Sequence, residues 1–263
     1  MRIGGIDIGS RYIKYVLLDN NSILDFEKRE TGHNPLSVCK ELLSLSRPEK
    51  IVATGYGRYL LEVFGDIRTI TEIKAVAKGV KAVFPKCRTI IDIGGQDTKI
   101  ISLSDQGSVV NFEMNDRCAA GTGRFIEIMS GALGYDLEHF GASCIDSDSG
   151  VRINSLCTVF AESEVISLIS KGEKREVIAG AIHDSIASKV ISMVKRLEIR
   201  DDIVFAGGCA LNPCLREMLE ARLGRPLHVH ENPHFHAAYG AALYAEASVK
   251  MDTLPILAEI IIH

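Results

Sequence analysis

This chain has no surplus of positive charge: 30 Lys and Arg stand against 34 Asp and Glu, a net charge of −4. No global basic field draws it to nucleic acid. It has no uninterrupted apolar run of the ~20 residues that span a bilayer, so no membrane association is expected. Its opening goes straight into a strand pattern, Ile3 to Ile8, with no signal-peptide core ahead of it, and the expected location is cytoplasmic. It has no disulfide framework, because its 7 cysteines are odd in number and irregular in spacing. A Walker A loop is missing, as is a Rossmann fingerprint. What remains is an ordinary globular composition, 46% hydrophobic and 24% charged over 263 residues, which is enough for a large core in one or two domains.

Strands and helices alternate from the start. Arg2 to Ile8 and Tyr12 to Asp19 are strand-like runs separated by Gly9-Ser10, which reads as a hairpin. Helical spacing follows from Pro35 to Ser46, then a strand from Lys50 to Thr54 ahead of Gly55-Tyr56-Gly57, then a helix from Thr71 to Phe84 stopped by Pro85. The pattern then restarts. Arg88 to Ile93 is an apolar strand, with Asp97 to Leu103 and Ser108 to Glu113 behind it. The two openings, Gly5-Ile6-Asp7-Ile8-Gly9-Ser10 and Ile91-Asp92-Ile93-Gly94-Gly95-Gln96, share a strand, an acid and a glycine turn, which is the mark of a duplicated unit. Helices are expected at Thr122 to Leu133, Phe160 to Ser170, Lys174 to Arg196, Asn212 to Leu223 and Ala237 to Ala247, with a strand from Asp202 to Ala206. The tail from Thr253 to His263 reads as an edge strand or a disordered end.

A phosphate chain needs backbone N–H groups with no side chain in the way, and a carboxylate to hold hydrated Mg2+. Asp7-Ile8-Gly9-Ser10 and Asp92-Ile93-Gly94-Gly95-Gln96-Asp97 supply both, twice, and Gly207-Gly208 makes a third loop suited to a ribose or base. One such turn is weak, whereas three, two of them duplicated with an acid, point to a nucleotide. Gln96 is an uncharged amide placed to orient an attacking water. Two cysteines stand ahead of expected helices: Cys118 before Gly121-Thr122-Gly123, and Cys157 before Phe160 to Val165. A helix start favours an anionic ligand. Two copies of the chain would bring four such thiols to a two-fold axis, the ligand set of an iron–sulfur cluster. Cys209 and Cys214 read as packing residues, Cys39, Cys87 and Cys144 as ordinary thiols, and His228, His230, His234 and His236 as surface and loop histidines. Lys171 to Glu176 reads as a solvated connection.

Several stretches carry a resemblance: the phosphate turns, Ala53-Thr54-Gly55-Tyr56-Gly57-Arg58, Ile91 to Asp97, Asn115 to Phe125 and Cys157 to Val165. Together they resemble the 2-hydroxyacyl-CoA dehydratase activators, which group with the ATPase subunits of benzoyl-CoA reductase in the acetate kinase, sugar kinase, heat-shock chaperone and actin superfamily. The resemblance covers nearly the whole chain, from Ile3 to about Ala247. It implies an α/β, two-lobed, actin-like (ribonuclease H-like) duplicated fold with a nucleotide cleft between the lobes. Residues 1–84 would form the first lobe, with a C-terminal helix in 235–263 returning to it, and residues 85–234 the second. It implies a homodimer sharing one 4Fe–4S cluster, with Cys118 and Cys157 as each subunit's ligands. ATP hydrolysis would drive a low-potential electron from a donor such as ferredoxin or flavodoxin into an iron–sulfur dehydratase or reductase. Asp7 and Asp92 match the Mg2+-associated acids, Gln96 the water-side position and Gly207-Gly208 the adenosine loop. Gly9, Ser10, Arg11, Lys14, Gly94, Gly95, Gly121, Thr122 and Gly123 fall at the nucleotide turns. One departure is Arg11-Tyr12-Ile13, where the family continues with Thr or Ser; hydroxyl contacts are lost, and Arg11 offers charge instead. The alternatives are a small-molecule kinase of the same superfamily and a non-enzymatic ATP-binding module.

Overall fold

The computed structural model describes residues 1–20, 22–65, 67–143, 150–153, 157–200 and 202–252. The chain divides into two compact units, one of Met1–Pro85 together with the chain from His234 on, the other of Lys86–Pro233. Each is built on its own sheet.

In the first unit, β1 (Arg2–Ile8), β2 (Tyr12–Asp19) and β3 (Ser22–Glu30) form an antiparallel meander, and α1 (Pro35–Ser46) leads to β4 (Lys50–Thr54). β4 lies parallel to β1, and β5 (Arg68–Thr69) extends the sheet to the order β3-β2-β1-β4-β5, before α2 (Glu72–Val83). α1 starts on signals legible in the sequence: Asn34 caps it by accepting from the Ser37 amide, and Pro35 sits in its first turn. β3 had no sequence signature, because it is an edge strand exposed along almost its whole length and so lacks the alternation that marks a half-buried strand. Its exposed, charge-bearing residues Asp25, Lys28, Arg29 and Glu30 suit an edge that must not pair with a stranger.

The second unit repeats the plan. β6 (Thr89–Ile93), β7 (Thr98–Leu103) and β8 (Val109–Asn115) form the meander. α3 (Gly123–Ala132), the single turn α4 (Leu137–Phe140), α5 (Thr158–Ser170) and α6 (Arg175–Val194) follow, then β9 (Ile203–Ala206) and α7 (Pro213–Leu223). β9 pairs parallel to β6, giving the order β8-β7-β6-β9. The core joins Ile91, Ile93 and Ile100 of the sheet to Phe125 and Met129 of α3, Ala161 and Val165 of α5, and Ile182, Ile186 and Val190 of α6. α6 has the length and hydropathy to cross a membrane. Yet 12 of its 20 residues are buried in this core, so its apolar character is that of a central helix.

α8 (His236–Asp252) returns to the first unit. Its alanines Ala238, Ala241, Ala242 and Ala245 pack on Ile3, Val16 and Val52 of the sheet, while Cys39 and Leu42 of α1 cover Ile6, Ile13 and Leu17 on the other face. α2 and α8 touch backbone to backbone, since a Cβ on Gly79 or Gly240 would strike the carbonyl of His236 or Ala75. The expectation for residues 253–263 lies outside the described residues, as does that for Cys144.

Candidate functional site

The turn after β1 is organised by a cross-strand pair. Asp7 lies opposite Lys14 in the β1–β2 register, and Lys14 Nζ is 2.9 Å from Asp7 Oδ2. The acid is buried and the lysine half-buried. The Gly9 amide donates to the Tyr12 carbonyl at 3.2 Å, and Thr31 Oγ1 donates to the Gly9 carbonyl at 2.7 Å, so the loop is held at both ends. Ser10 and Arg11 are exposed at its tip, with the Arg11 guanidinium 5.8 Å from the Tyr12 ring centre. The neighbouring strand β4 runs into Gly55, whose φ is +87°. A Cβ there would collide with Asp7 Oδ1 and lie 2.7 Å from the Ile8 carbonyl oxygen. The Gly57 amide donates to that same carbonyl at 2.9 Å.

The turn after β6 has the same construction with more charge. Asp92 lies opposite Lys99, and Lys99 Nζ is 3.5 Å from Asp92 Oδ2 and 2.7 Å from Asp97 Oδ2. Gly94 donates to the Asp97 carbonyl at 2.9 Å, leaving Gly95 and Gln96 exposed at the tip. The start of α3 closes on this loop: the Gly123 amide donates to the Gly94 carbonyl at 2.9 Å, and the Arg124 amide to the Gly95 carbonyl at 2.7 Å. Thr98 Oγ1 holds the Gly121 carbonyl at 2.6 Å, and Thr122 is fully buried with its hydroxyl on the Ala119 carbonyl at 2.7 Å. Gly121, Thr122 and Gly123 therefore brace the loop from behind.

The parallel strand β9 runs into Gly207, φ +82°, where a Cβ would collide with the Ile93 carbonyl and lie 2.6 Å from Asp92 Oδ1. Gly208, by contrast, has open space around it. Cys209 is buried between the two loops, and burial first, then the Asp92 charge, pushes its thiol up to about 12. Asn212 caps α7 by accepting from the Leu215 amide at 3.0 Å. Its Nδ2 also sits 2.9 Å from His183 Nε2. His183 is fully buried and held below its ordinary value by burial, so the neutral ring donates from Nδ1 to the Ala179 carbonyl and accepts from Asn212. That buried histidine, which sequence reasoning passed over, fixes the end of the third glycine loop.

The duplication goes deeper than the Asp-Ile-Gly motif. In each unit an acid pairs with the lysine 7 residues later. In each, a glycine with positive φ from a parallel strand abuts that acid and the isoleucine carbonyl beside it. Gly55 is thus the counterpart of Gly207, and Lys99 that of Lys14. Lys99 was the residue the sequence reading left out; its spacing from Asp92, equal to that of Lys14 from Asp7, was the signal that marked it.

Cys118 and Cys157 are both exposed and free. Cys157 is the N-cap of α5. Cys118 is not at a helix start, because the N-cap of α3 is Thr122. It sits instead in the link from β8, where Asn115 Nδ2 donates to the carbonyls of Cys118 and Ala120 at 2.9 and 3.0 Å. The two helices that follow the cysteines pack on each other. α5 has two apolar sides: Ala161 and Val165 face the core, while Val159, Phe160, Ile166 and Ile169 are exposed. Among the described residues no group of three His, Cys, Asp or Glu could hold a metal within one chain. Each copy thus offers two exposed thiols to a cluster, half of a four-cysteine ligand set.

The remaining candidates are dispersed. His236 is buried at the start of α8, which corrects its reading as a surface histidine. His234 is half-buried and held near 4 by burial first and then by the charges of Lys28 and Lys14. His228 pairs with Asp202 at 3.7 Å. Cys214 is disulfide-bonded, so its expected role in packing alone does not hold.

Comparison with known proteins places this geometry. The family described as BadF/BadG/BcrA/BcrD ATPase matches residues 5–245. The (R)-2-hydroxyglutaryl-CoA dehydratase activating ATPase of Acidaminococcus fermentans is 42% identical over 92% of this chain and 95% of its own. The activator of the 2-hydroxyisocaproyl-CoA dehydratase from Clostridium difficile, solved with bound ADPNP, superposes with a TM-score of 0.86 at 39% identity, covering 96% of this chain and 97% of that one. A ROK family glucokinase from Streptomyces griseus shares the fold at a TM-score of 0.62 and 12% identity, covering 94% of this chain and 100% of that one. The expected fold class, a two-sheet α/β architecture of the actin and sugar-kinase type, is what these structures share.

Proposed function

The chain belongs to the BadF/BadG/BcrA/BcrD ATPase family, and from that premise we propose that it hydrolyses ATP to deliver an electron to a 2-hydroxyacyl-CoA dehydratase or a related iron–sulfur reductase. The observation that carries the reading is the pairing of two duplicated acid–glycine turns with two exposed thiols in one chain. The relatives support an activator over a sugar or acid kinase, because the likeness to the glucokinase is one of fold alone.

The nucleotide would be held by Gly9, Ser10, Arg11 and Lys14 in the first unit, and by Gly94, Gly95, Gly207 and Gly208 in the second. Gly55 and Gly207 let bare backbone close on Asp7 and Asp92, which supports two tightly built turns suited to a phosphate chain. Asp7 and Asp92 would hold the hydration shell of Mg2+, which draws negative charge from the phosphates as they separate. Gln96, exposed at the tip of its turn, orients the water that attacks the terminal phosphorus, and ADP and phosphate leave. Cys118 and Cys157 of two copies would hold one 4Fe–4S cluster, which supplies a one-electron carrier. Val159, Ile166 and Ile169 are exposed along the helix that Cys157 caps and would give a second copy an apolar surface to cover, which suits a homodimer. ATP can favour the electron-delivering arrangement only through its differential affinity for it. The donor would be a small low-potential carrier of the ferredoxin or flavodoxin kind, and the reaction is expected in the cytoplasm.

The test is purification under strict exclusion of oxygen, with iron and acid-labile sulfide assayed together with ATP hydrolysis. About four of each per two chains, lost in Cys157→Ala and Cys118→Ala, is the expected result. A colourless, iron-free chain that transfers phosphate from ATP to a sugar would sink the reading.

A further inference from the structure

The link from β8 to α3 is hydrogen-bonded along its length from Cys118 on. Its carbonyls accept in succession: Cys118 and Ala120 from Asn115 Nδ2 at 2.9 and 3.0 Å, Ala119 from Thr122 Oγ1 at 2.7 Å, and Gly121 from Thr98 Oγ1 at 2.6 Å. Gly121, with φ +84°, is where such a link would bend most readily. Its carbonyl is the one that the buried Thr98 holds. The amides that follow carry the series on, Gly123 donating to the Gly94 carbonyl at 2.9 Å and Arg124 to the Gly95 carbonyl at 2.7 Å. Thr98 and Asn115 are partners in the β7–β8 register, so the two side chains that hold the link stand on adjoining strands. Thr98 also directly follows Asp97, whose carbonyl closes the turn by accepting from the Gly94 amide. A segment bonded step by step passes a displacement on, where a loose loop would absorb it. One end of this segment is the exposed thiol of Cys118, and the other is the second glycine turn.

We propose that Asn115 is a positioning residue that makes the place of Cys118 depend on the nucleotide held at the second turn. The inference rests on the nucleotide reading above and adds how that site reaches the thiol. A phosphate held at the exposed tip, Gly95 and Gln96, stills the turn. The carbonyls of Gly94 and Gly95 then fix the start of α3, and the bonds from Thr98 and Asn115 carry that order back along the link. Asn115 is the step nearest the thiol, since its amide bonds the carbonyl of the cysteine itself. Without that amide the carbonyls of Cys118 and Ala120 turn to water, and the thiol keeps its chemistry but loses its fixed place. An amide with a structural role alone would act equally with and without nucleotide. A coupling amide acts differently in the two states, and it is only through such a difference that nucleotide can move the thiol.

The ratio of two rates separates this role from a structural one. The full-length chain, with its thiols reduced and unligated, would be alkylated with iodoacetamide with and without saturating ADPNP and Mg2+, and the rate at Cys118 read by peptide mass spectrometry. Cys157, also exposed and free, is read in the same digest as a control for unfolding. In wild type ADPNP should slow Cys118 about fivefold, the weight of one hydrogen bond. In Asn115→Ala the two rates should agree to within about 1.5-fold, while the Kd for ADPNP, measured by calorimetry, stays within about threefold of wild type. Thr98→Val removes the hydroxyl at equal size and should flatten the ratio likewise, whereas Thr98→Ser keeps the hydroxyl and should keep the ratio. Equal rates in wild type, or a full fivefold slowing retained in Asn115→Ala, would overturn the proposal. A general loss of structure in Asn115→Ala would speed Cys157 without nucleotide; Thr98→Val and Thr98→Ser then decide, and a slowing retained in Thr98→Val or lost in Thr98→Ser overturns it as well. If the wild-type chain binds no ADPNP, the nucleotide reading falls and this inference with it. If it binds ADPNP and the rate at Cys118 does not change, only the inference falls.

Discussion

The two acid–glycine turns are one design executed twice with different surroundings. In the first unit Asp7 is answered by a half-buried Lys14, and the loop tip carries Ser10 and Arg11 in solvent. In the second, Asp92 shares a buried lysine with Asp97, the start of α3 is bonded to the loop from behind, and Cys209 fills the space beside it. The first turn is braced by Thr31 and by the Gly57 amide. Same backbone, unequal support: the second turn is built to stay where it is, and the first to have an exposed, charged tip.

The largest expected effect tests what the turns share. Gly55→Ala and Gly207→Ala each force a side chain into positive φ, at about 1–2 kcal/mol, and into a neighbouring carbonyl oxygen. Each should lower ATP hydrolysis by at least about 100-fold, since both effects act beside the acid proposed to hold the hydrated Mg2+. Steady-state assays of both variants check the equivalence. Activity within twofold of wild type in Gly55→Ala, but not in Gly207→Ala, would break the symmetry and remove the first turn from the phosphate site.

A smaller effect is expected in stability against pH. His234 lies in the first unit near Lys14 and Lys28, and its folded value is about 4 against an ordinary 6.5. The unfolded chain takes up this proton below about 6.5, whereas the folded chain resists it until about 4. The stability this histidine contributes is therefore full above that window and is lost as pH falls through it. His183, buried in the second unit and shifted in the same direction, adds a loss of the same sign. Calorimetry from pH 7 to pH 4 should show a falling Tm, and His234→Gln should flatten part of the fall. An unchanged slope in that variant would deny His234 its buried, charge-crowded setting.

The smallest effect belongs to the loop tip. Arg11 is exposed and lies over the Tyr12 ring, so its charge acts through solvent. Arg11→Ala should raise the KM for ATP about threefold, an effect that fades as salt is raised toward ~1 M. A salt-independent rise of 100-fold would mean that Arg11 touches phosphate directly, and that the first turn is as firmly built as the second.

Much of this was legible without coordinates. The repeated Asp-Ile-Gly, the glycine pair after Asp202 to Ala206, and the two odd cysteines all stood out because each is a local pattern with a chemical reason. Asn34-Pro35 and Asn212-Pro213 announced helix starts in the same local way, and both residues cap in the structure. β3 was illegible because an edge strand exposed on both faces has no period to read. Gly55 was visible as a glycine but not as the twin of Gly207, because each meets its acid across a parallel pairing from a strand far off in sequence. His236 looked like one of a loose histidine cluster, and the fold buried it at a helix start. Cys118 looked like a helix-start thiol, and the fold placed it in a link, ahead of the true cap at Thr122.

The sequence by itself determined the strand and helix order, the duplication and the chemical types at each turn, since these follow from short-range period and backbone permissiveness. Only the tertiary structure decided that Lys99 is sealed from solvent between two acids while Lys14 is not, and that both cysteine side chains are left uncovered. Burial and charge pairing depend on what other segments bring alongside. A lysine seven residues after an aspartate is written the same way in both places.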